Sequence, residues 1–181
     1  LAGTYYIAVS GFNPLESGVY GLLVGVFEPD DEPGQTPTTS PSGSGPTAPT
    51  TPAPTPEFDC PLTSAIPINL DAGSVSITGS TSGATSNLPD VPDCSSNTGS
   101  PTVWYQFTTA VDGTIFVSTC GSTFDTVITL FRSPPGGDCS NAFCLGANDD
   151  HGTTLPECSD STLHSYIGVV SSPPADTFYV A

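Results

Sequence analysis

The stretch formed by residues 33–56 restricts what this chain can fold into more than any other feature. It reads PGQTPTTSPSGSGPTAPTTPAPTP, carries no charge and consists almost entirely of Pro, Thr, Ser, Gly and Ala. Such a segment cannot bury enough apolar surface to offset its ordering entropy, and its prolines favour extended polyproline II. We therefore predict a linker at residues 29–57, between an N-terminal segment, residues 1–28, and a larger folded region, residues 58–181.

Hydroxyl side chains alternate with proline along this linker, as they do in mucin-like stalks that carry O-linked glycans. No Asn-x-Ser/Thr sequon occurs in the chain, so any attached sugar is expected on a hydroxyl oxygen. An unmodified flexible linker is the alternative. The predicted glycosylation sites are Thr38, Thr39, Ser40, Thr47, Thr50, Thr51 and Thr55.

The N-terminal segment has the pattern of two β-strands. Residues 4–12 and 18–27 are apolar, aromatic and β-branched, and the turn-forming sequence NPLES separates them. This arrangement predicts a β-hairpin. A lone hairpin is marginal in water, and these strands are apolar on both faces, so we expect them to be buried against other strands.

The larger region also consists of short apolar segments separated by turn residues. None of them shows the sustained 3.6-residue period of an amphipathic helix. The pattern predicts an all-β fold, a jelly-roll or immunoglobulin-like β-sandwich. The predicted strands are residues 65–70, 74–80, 102–109, 113–119, 125–132, 162–171 and 176–181.

All six cysteines lie after the linker. An even number of cysteines in a chain rich in Ser, Thr, Gly and Pro indicates disulfides formed in an oxidising, extracellular or cell-surface setting. Zinc is the alternative, although no Cys-x2-Cys pair is present. Six cysteines allow 15 pairings, so the connectivity stays open. The pairing that we favour is Cys60 with Cys94, Cys120 with Cys158, and Cys139 with Cys144.

The charge balance is strongly acidic. Eighteen acidic side chains are opposed by one base, Arg132, which gives a net charge of −17. Such a chain lacks the basic surface that nucleic acids and anionic membranes require, and no apolar run approaches the roughly 20 residues that cross a bilayer. We expect no nucleic-acid partner and no membrane insertion, and divalent cations or glycans become the favoured companions.

Several motifs follow one another in the larger region, namely Trp-Tyr-x-Phe (104–107), Gly-Thr (113–114), Ser-x-Phe-Asp-Thr (122–126) and Asn-Asp-Asp (148–150). Together with TFYVA (177–181), and with the strands of the N-terminal segment as their continuation, they resemble bacterial pre-peptidase C-terminal domains and their eukaryotic extracellular relatives. The resemblance implies a β-sandwich. For many members it also implies an accessory module of a secreted hydrolase that binds carbohydrate or protein.

The order of the pieces departs from this family. The family's final strand, expected after TFYVA, is found here at residues 9–28. In addition, LAGTYYIA (residues 1–8) nearly repeats PADTFYVA (residues 174–181) at the other end of the chain. We therefore interpret residues 58–181 as a sandwich that lacks its last strands, and residues 1–28 as the segment that completes a preceding or neighbouring copy.

Asp125 and the Asn-Asp-Asp turn form the sharpest polar group in the sequence. Calcium takes 6 to 8 oxygen ligands at about 2.4 Å, and acidic turns supply such oxygens. The alternative is that these side chains cap turns by hydrogen bonds to the backbone. The predicted calcium ligands are Asp125, Asn148, Asp149 and Asp150.

Evidence for catalysis is weak, and we expect no enzyme activity. The residue types of a hydrolytic triad occur at His151, Asp160, Ser161, His164 and Ser165, but no nucleophile motif frames them. Trp104 and Tyr105 point to opposite faces of their strand. One of them is therefore expected in the core, and the other is a candidate for stacking on a polysaccharide.

These features together favour a structural protein. We expect an extracellular, O-glycosylated tandem repeat whose identical copies assemble head to tail into a fibril or surface array by β-strand complementation. The accessory carbohydrate- or protein-binding module is the alternative. The residues predicted to make the joint are Tyr5, Ile7, Val9, Tyr20, Leu22 and Val24.

Overall fold

The computed structural model describes residues 3–27, 65–70, 73–86, 99–109, 113–133, 142–150 and 163–171. This part of the chain contains strands and no helix, so the prediction of an all-β fold is confirmed for it. The described residues accordingly include no helix that could span a membrane. The strands are β1 (Gly3–Gly11), β2 (Val19–Phe27), β3 (Ile66–Pro67), β4 (Ser74–Ser80), β5 (Thr102–Thr109), β6 (Gly113–Ser118), β7 (Thr126–Ser133), β8 (Phe143–Asn148) and β9 (Tyr166–Ser171).

The strands form two sheets. One sheet has five strands in the order β3-β5-β1-β7-β8, and the other has four in the order β4-β2-β6-β9. Strand β3 pairs with β5 in parallel, while the other pairs are antiparallel. Strands β1 and β2 therefore lie inside their sheets, each with a neighbour on both sides.

Both sheets contribute to one apolar core. Strand β1 provides Tyr5, Ile7 and Val9 from the five-stranded sheet, and β2 provides its alternate residues from the four-stranded sheet. Alternation along each strand sends every second side chain to this shared layer. The buried core consists of Tyr5, Ile7, Val9, Tyr20, Leu22, Val24, Ile68, Tyr105, Phe107, Ile115, Val117, Ile128, Leu130 and Ile167.

A second apolar cluster lies on the opposite face of the five-stranded sheet. It contains Tyr6, Ala8, Ala65, Trp104 and Phe131, all buried, and the Trp104 and Phe131 rings are 5.6 Å apart between centroids. Strand β1 is thus buried on both of its faces. The expectation that this strand must be covered by other parts of a fold is confirmed.

The predicted N-terminal hairpin is wrong. Strand β1 pairs with β5 and β7, whereas β2 pairs with β4 and β6, so the two strands belong to different sheets. The connection begins with a turn in which the Glu16 N–H donates to the Asn13 carbonyl at 3.0 Å. Neighbouring strands lie about 4.8 Å apart and packed sheets about 10 Å apart. The turn sequence indicates that the chain reverses. It does not indicate whether the second strand pairs with the first in the same sheet or crosses to the other sheet.

Two further strand predictions need correction. The strand predicted at residues 65–70 is reduced to Ile66–Pro67, and proline has no N–H to extend the pairing. Strand β8 was not predicted, because FCLGAN lies in a stretch rich in Gly, Pro and Cys and lacks a clear alternation. It pairs with β7 through a register shift between Leu130 and Phe131.

Several predictions lie outside the described residues. They include the linker, all seven glycosylation sites and the strand at residues 176–181. Of the cysteines, the structure describes Cys120 and Cys144, and neither is free. No disulfide joins two described residues, so the three pairings stay predictions.

Candidate assembly site and acidic cluster

The candidate assembly site has two halves. The first is the position that β1 occupies between β5 and β7, which we call the β1 position. Ile7 lies opposite Tyr105 on β5 and Leu130 on β7, and Val9 lies opposite Val103 and Ile128. The Tyr5 ring stacks on Phe107 at 5.1 Å between centroids. The side chains of Tyr5, Ile7 and Val9 are at most 1% exposed, so β1 is an integral part of the core.

Strand β2 forms the second half, between β4 and β6. Its residues Tyr20, Leu22 and Val24 are also at most 1% exposed. A β-carbon added to Gly79 on β4 would lie 2.5 Å from the Tyr20 ring and hydroxyl. Glycine at this position lets the edge strand β4 approach the tyrosine on the central strand.

A hydrogen bond between two tyrosines crosses the core and joins the sheets. The hydroxyl groups of Tyr20 on β2 and Tyr105 on β5 are 2.8 Å apart, and the rings meet edge to face. Burial raises the pKa of both phenols above their usual range, so both stay neutral and one donates to the other. The six predicted assembly residues therefore lie in one interior, which the N-terminal segment completes within a single chain.

An acidic cluster lies at the end of the five-stranded sheet where β1 finishes. It consists of Asp125, Asp149 and Asp150, whose carboxylate oxygens lie within 4.8 Å of one another. Asp125 immediately precedes β7, and Asp149 follows β8. Because β7 and β8 are antiparallel, with Ile128 opposite Asn148, the start of one strand and the end of the other meet at this edge.

Glu16 faces this cluster, which the sequence did not indicate. Gly11 at the end of β1 lies opposite Thr126, and the Phe12 N–H donates to the Asp125 carbonyl at 3.1 Å. The connection between β1 and β2 therefore passes beside the cluster and brings Glu16 to it. Detecting Glu16 requires knowledge that β1 pairs with β7, and no local motif carries that information.

The carboxylates are crowded and incompletely satisfied. The pKa of Asp125 is raised to about 6 by burial, and by the charges of Asp149, Glu16 and Asp150. Burial, together with Asp150 and Glu16, also raises the pKa of Asp149. One carboxylate oxygen each of Glu16, Asp125 and Asp149 is buried without a hydrogen-bond partner. Such oxygens are the donor type that calcium binds, but calcium at this cluster stays a prediction.

Asn148, the fourth predicted ligand, is engaged with the backbone. Its Oδ1 accepts a hydrogen bond from the Tyr166 N–H at 3.0 Å, and its Nδ2 donates to the Asp150 carbonyl at 3.4 Å. The Ser165 hydroxyl contacts the Asp149 carbonyl at 2.6 Å and the Thr126 carbonyl. These bonds hold the loop after β8 against the start of β9, and they orient the acidic cluster.

The described residues of the weakly indicated triad are buried in this same scaffold. His164 is 2% exposed and its Nε2 lies 2.9 Å from the Ser122 carbonyl, while the Ser165 side chain is completely buried. His151, Asp160 and Ser161 lie outside the described residues. Trp104 is 4% exposed and Tyr105 1%, so neither ring presents a face on which a sugar could stack.

Comparisons with protein-family models, with curated proteins and with solved structures found no match for this chain. The resemblance to pre-peptidase C-terminal domains therefore stays a prediction from the motifs.

Proposed function

We propose that this protein is a structural repeat unit of an extracellular, O-glycosylated fibre or surface array, whose identical copies are joined by β-strand complementation. The joint is the N-terminal segment, which supplies one strand to each sheet of a β-sandwich of the jelly-roll or immunoglobulin-like type. The linker sets the distance between the sandwich and its donated strands.

One observation carries this proposal: the N-terminal segment occupies interior positions in both sheets. Strand β1 lies between β5 and β7, and β2 lies between β4 and β6. Without the segment, β5 and β7 would be separated and the core would lose Tyr5, Ile7, Val9 and the facing residues of β2. A sandwich that depends this strongly on a remote segment binds it by main-chain hydrogen bonds and apolar side chains, as in strand addition.

The linker permits donation to a second copy as well as closure on the same chain. The chain between residues 27 and 65 reaches on the order of 100 Å when extended at about 3 Å per residue. A domain of this size is roughly 35 Å across. A flexible tether gives the chain's own strands an effective concentration in the millimolar range. Donation between copies is therefore expected when the sandwiches are crowded or arrayed.

Isotope mixing during refolding tests the proposal. A protease site is inserted between Gly43 and Ser44 in the full chain, and ¹⁵N-labelled and unlabelled chains are unfolded together with their disulfides intact. They are refolded at high protein concentration, then cleaved and examined by native mass spectrometry. We expect complexes in which the N-terminal fragment carries one isotope and the larger fragment the other.

The matched control uses the same chains refolded separately and mixed only afterwards, which should give almost no mixed complexes. Electron microscopy of the uncleaved, co-refolded sample should show elongated assemblies. If fragments of the same isotope stay together at every protein concentration, donation between copies does not occur, and the fibre proposal fails.

A further inference from the structure

Strand β4 has backbone groups that point away from its neighbour β2. The Thr81 N–H donates to the Gly18 carbonyl at 3.0 Å, and the Val26 N–H donates to the Gly73 carbonyl at 2.9 Å. In an antiparallel register every second residue bonds to the neighbouring strand. The odd-numbered residues of β4 therefore bond to β2, and the even-numbered ones direct N–H and C=O groups outward. These outward residues are Ser74, Ser76, Thr78 and Ser80.

Nothing in the described part of the chain pairs with this outer edge of β4, which is the last strand of its sheet there. The side chains of the outward residues are small hydroxyl groups, and they are exposed. On the other face of the strand, Val75 and Ile77 pack against the core but stay partly exposed. A further strand beside β4 would bind the outward backbone groups and cover these two apolar side chains.

The edge of β4 also lacks the usual protection against such pairing. Natural edge strands are kept apart by charged residues, by proline, by bulges or by being short. At the edges of the five-stranded sheet, β3 is two residues long and contains Pro67, and the pairing of β8 is interrupted by a register shift. Strand β4 has seven residues in unbroken register with β2, and it contains neither a charge nor a proline.

The charge distribution is compatible with a second copy of the chain as the partner. With a net charge of −17, two copies repel each other over most of their surface. Residues 73–81 include no acidic or basic side chain. Two copies can therefore approach each other along β4 at a lower electrostatic cost than along an acidic surface.

The strand is also complementary to itself. Only outward residues can form hydrogen-bonded pairs, and one antiparallel register uses all of them. It places Ser74 opposite Ser80 of the second copy and Ser76 opposite Thr78 of the second copy, and each such pair exchanges two hydrogen bonds. The two Ile77 side chains then lie opposite each other on the inner face, while hydroxyl groups meet hydroxyl groups on the outer face.

We propose that β4 is an interface between copies of this chain, through which two four-stranded sheets join edge to edge into one continuous antiparallel sheet. This contact goes beyond the head-to-tail joint, because a chain that keeps its own β1 and β2 can form it. Each copy then has a sideways contact in addition to the joint, as a surface array requires.

Hydrogen exchange of the folded full chain, measured by NMR at low and high protein concentration, tests the interface. We expect the amides of Ser74, Ser76 and Thr78 to exchange rapidly in the dilute monomer and about tenfold more slowly once dimers form. The amides of Val75 and Ile77 bond to β2 and should stay protected at both concentrations. Analytical ultracentrifugation of the same samples should show the 18.4 kDa monomer associating into dimers.

Two results would overturn the interface. A chain that stays monomeric up to millimolar concentration does not pair through β4. Outward amides that are equally protected at every concentration would show that the chain itself covers this edge.

Matched substitutions locate the contact on β4. Thr78→Glu places like charges close together across the two-fold axis and should weaken dimerisation about tenfold. Thr108→Glu adds the same charge at an exposed position of β5, in the other sheet, and should change dimerisation less than twofold. Equal weakening by both variants would show that the copies meet elsewhere, and the interface would be wrong. Both positions are exposed, so urea denaturation should give nearly equal stability for the two monomers.

The salt dependence separates a neutral contact from an ion-paired one. Sodium chloride screens the repulsion between two acidic copies, so dimerisation of the wild-type chain should strengthen as salt is added. Dimers that dissociate on addition of salt would depend on ion pairs, and β4 has no charge with which to form them.

The outcome is separable from that of the isotope-mixing experiment. After cleavage of the linker, a β4 dimer contains two large fragments, whereas a donated strand gives one N-terminal fragment on one large fragment of the other isotope. Dimers without exchanged N-terminal fragments would support the β4 interface and remove the fibre. Exchanged fragments from a chain that never dimerises through β4 would leave the proposed function standing and overturn the interface.

Discussion

Strand β1 passes from an apolar interior to an acidic cluster, and these two regions differ in how their side chains are stabilised. Around Ile7, side chains from both sheets are removed from water, and the polar contact between Tyr20 and Tyr105 is satisfied. Around Asp125, carboxylates crowd together and three oxygens have no hydrogen-bond partner. The comparison teaches that apolar burial holds β1 in place and offsets an electrostatic cost at its end.

The largest effect is expected from truncating the interior of β1. Ile7→Ala removes a fully buried side chain and leaves a cavity between Tyr105 and Leu130. We expect the free energy of unfolding to fall by about 2–5 kcal/mol, measured by urea denaturation at pH 7. Ser76→Ala on the exposed face of β4 is the control and should stay within about 0.5 kcal/mol of the wild type. Similar values for the two variants would show that β1 is not part of the core in solution.

A smaller loss is expected at the edge strand β4, where Gly79 lies against the two tyrosines of the core. In Gly79→Ala, the new methyl group would overlap the Tyr20 ring and approach the Tyr105 hydroxyl at 2.8 Å. We expect a destabilisation of about 1–3 kcal/mol from this overpacking, in the same denaturation assay. A neutral result would mean that the two tyrosines move apart without cost, and the Tyr20–Tyr105 bond would then contribute little.

Calcium should act on the acidic cluster alone. If Asp125, Asp149 and Asp150 bind the ion, a calcium concentration ten times the Kd stabilises the folded state by about 1.4 kcal/mol. Thermal unfolding at pH 7 should show a raised Tm with calcium and a smaller change with magnesium, which prefers stricter octahedral geometry. Asp150→Asn should reduce the response. An unchanged Tm in millimolar calcium would contradict the predicted site.

The smallest effect is expected from pH and has the opposite sign to the interior substitutions. The pKa of Asp125 is about 6 in the folded protein, above its usual value of 3.8, so the folded state binds this proton more tightly than the unfolded chain does. Stability from this group is fully present below pH 3.8 and is lost as the pH rises through 6. Asp125→Asn should therefore stabilise the protein at pH 7, by less than about 1 kcal/mol because the group is partly exposed.

The two regions also allow a check on this sign. Asp125→Asn should have a much smaller effect at pH 3.5 than at pH 7, because at pH 3.5 the aspartate is mostly protonated in both the folded and the unfolded state. Ile7→Ala should be equally harmful at both pH values. Unfolding midpoints of both variants at pH 3.5 and pH 7 make the comparison. If Asp125→Asn destabilises the protein at pH 7, the Asp125 charge is favourable there and the cluster has a compensating partner.

The sequence predicted the strands more reliably than their neighbours. The segments now seen as β4, β5, β6 and β7 were identified within a residue or two at each end, because their turn residues and aromatic or β-branched content act locally. The prediction of a hairpin was wrong because β1 pairs instead with β5, whose residues lie about a hundred positions away in the chain. Strand β8 could not be predicted because it lacks the β-branched residues and the alternation on which strand predictions depend.

The candidate sites show the same difference between local patterns, which the sequence reveals, and contacts between distant segments, which it does not. Asp125 and the Asn-Asp-Asp turn could be identified because acidic residues on turns form a local pattern, and the structure brings the three aspartates together. Glu16 could not be identified, because it reaches the cluster only through the pairing of β1 with β7. The buried Nε of Arg132, which has no hydrogen-bond partner, could not be identified from the sequence either, because its surroundings depend on which residue of β1 lies beside it.

By itself, the sequence determined that the chain is rich in strands, that its charge is acidic, and that one strand sequence occurs near both ends. These properties follow from composition and from patterns over a few residues. The linker at residues 29–57 stays a prediction. Only the tertiary structure decided that β1 and β2 belong to different sheets and lie inside them, since apolar burial acts between segments that are far apart in the chain. The placement of Glu16 and Arg132 at opposite ends of β1 follows from that decision.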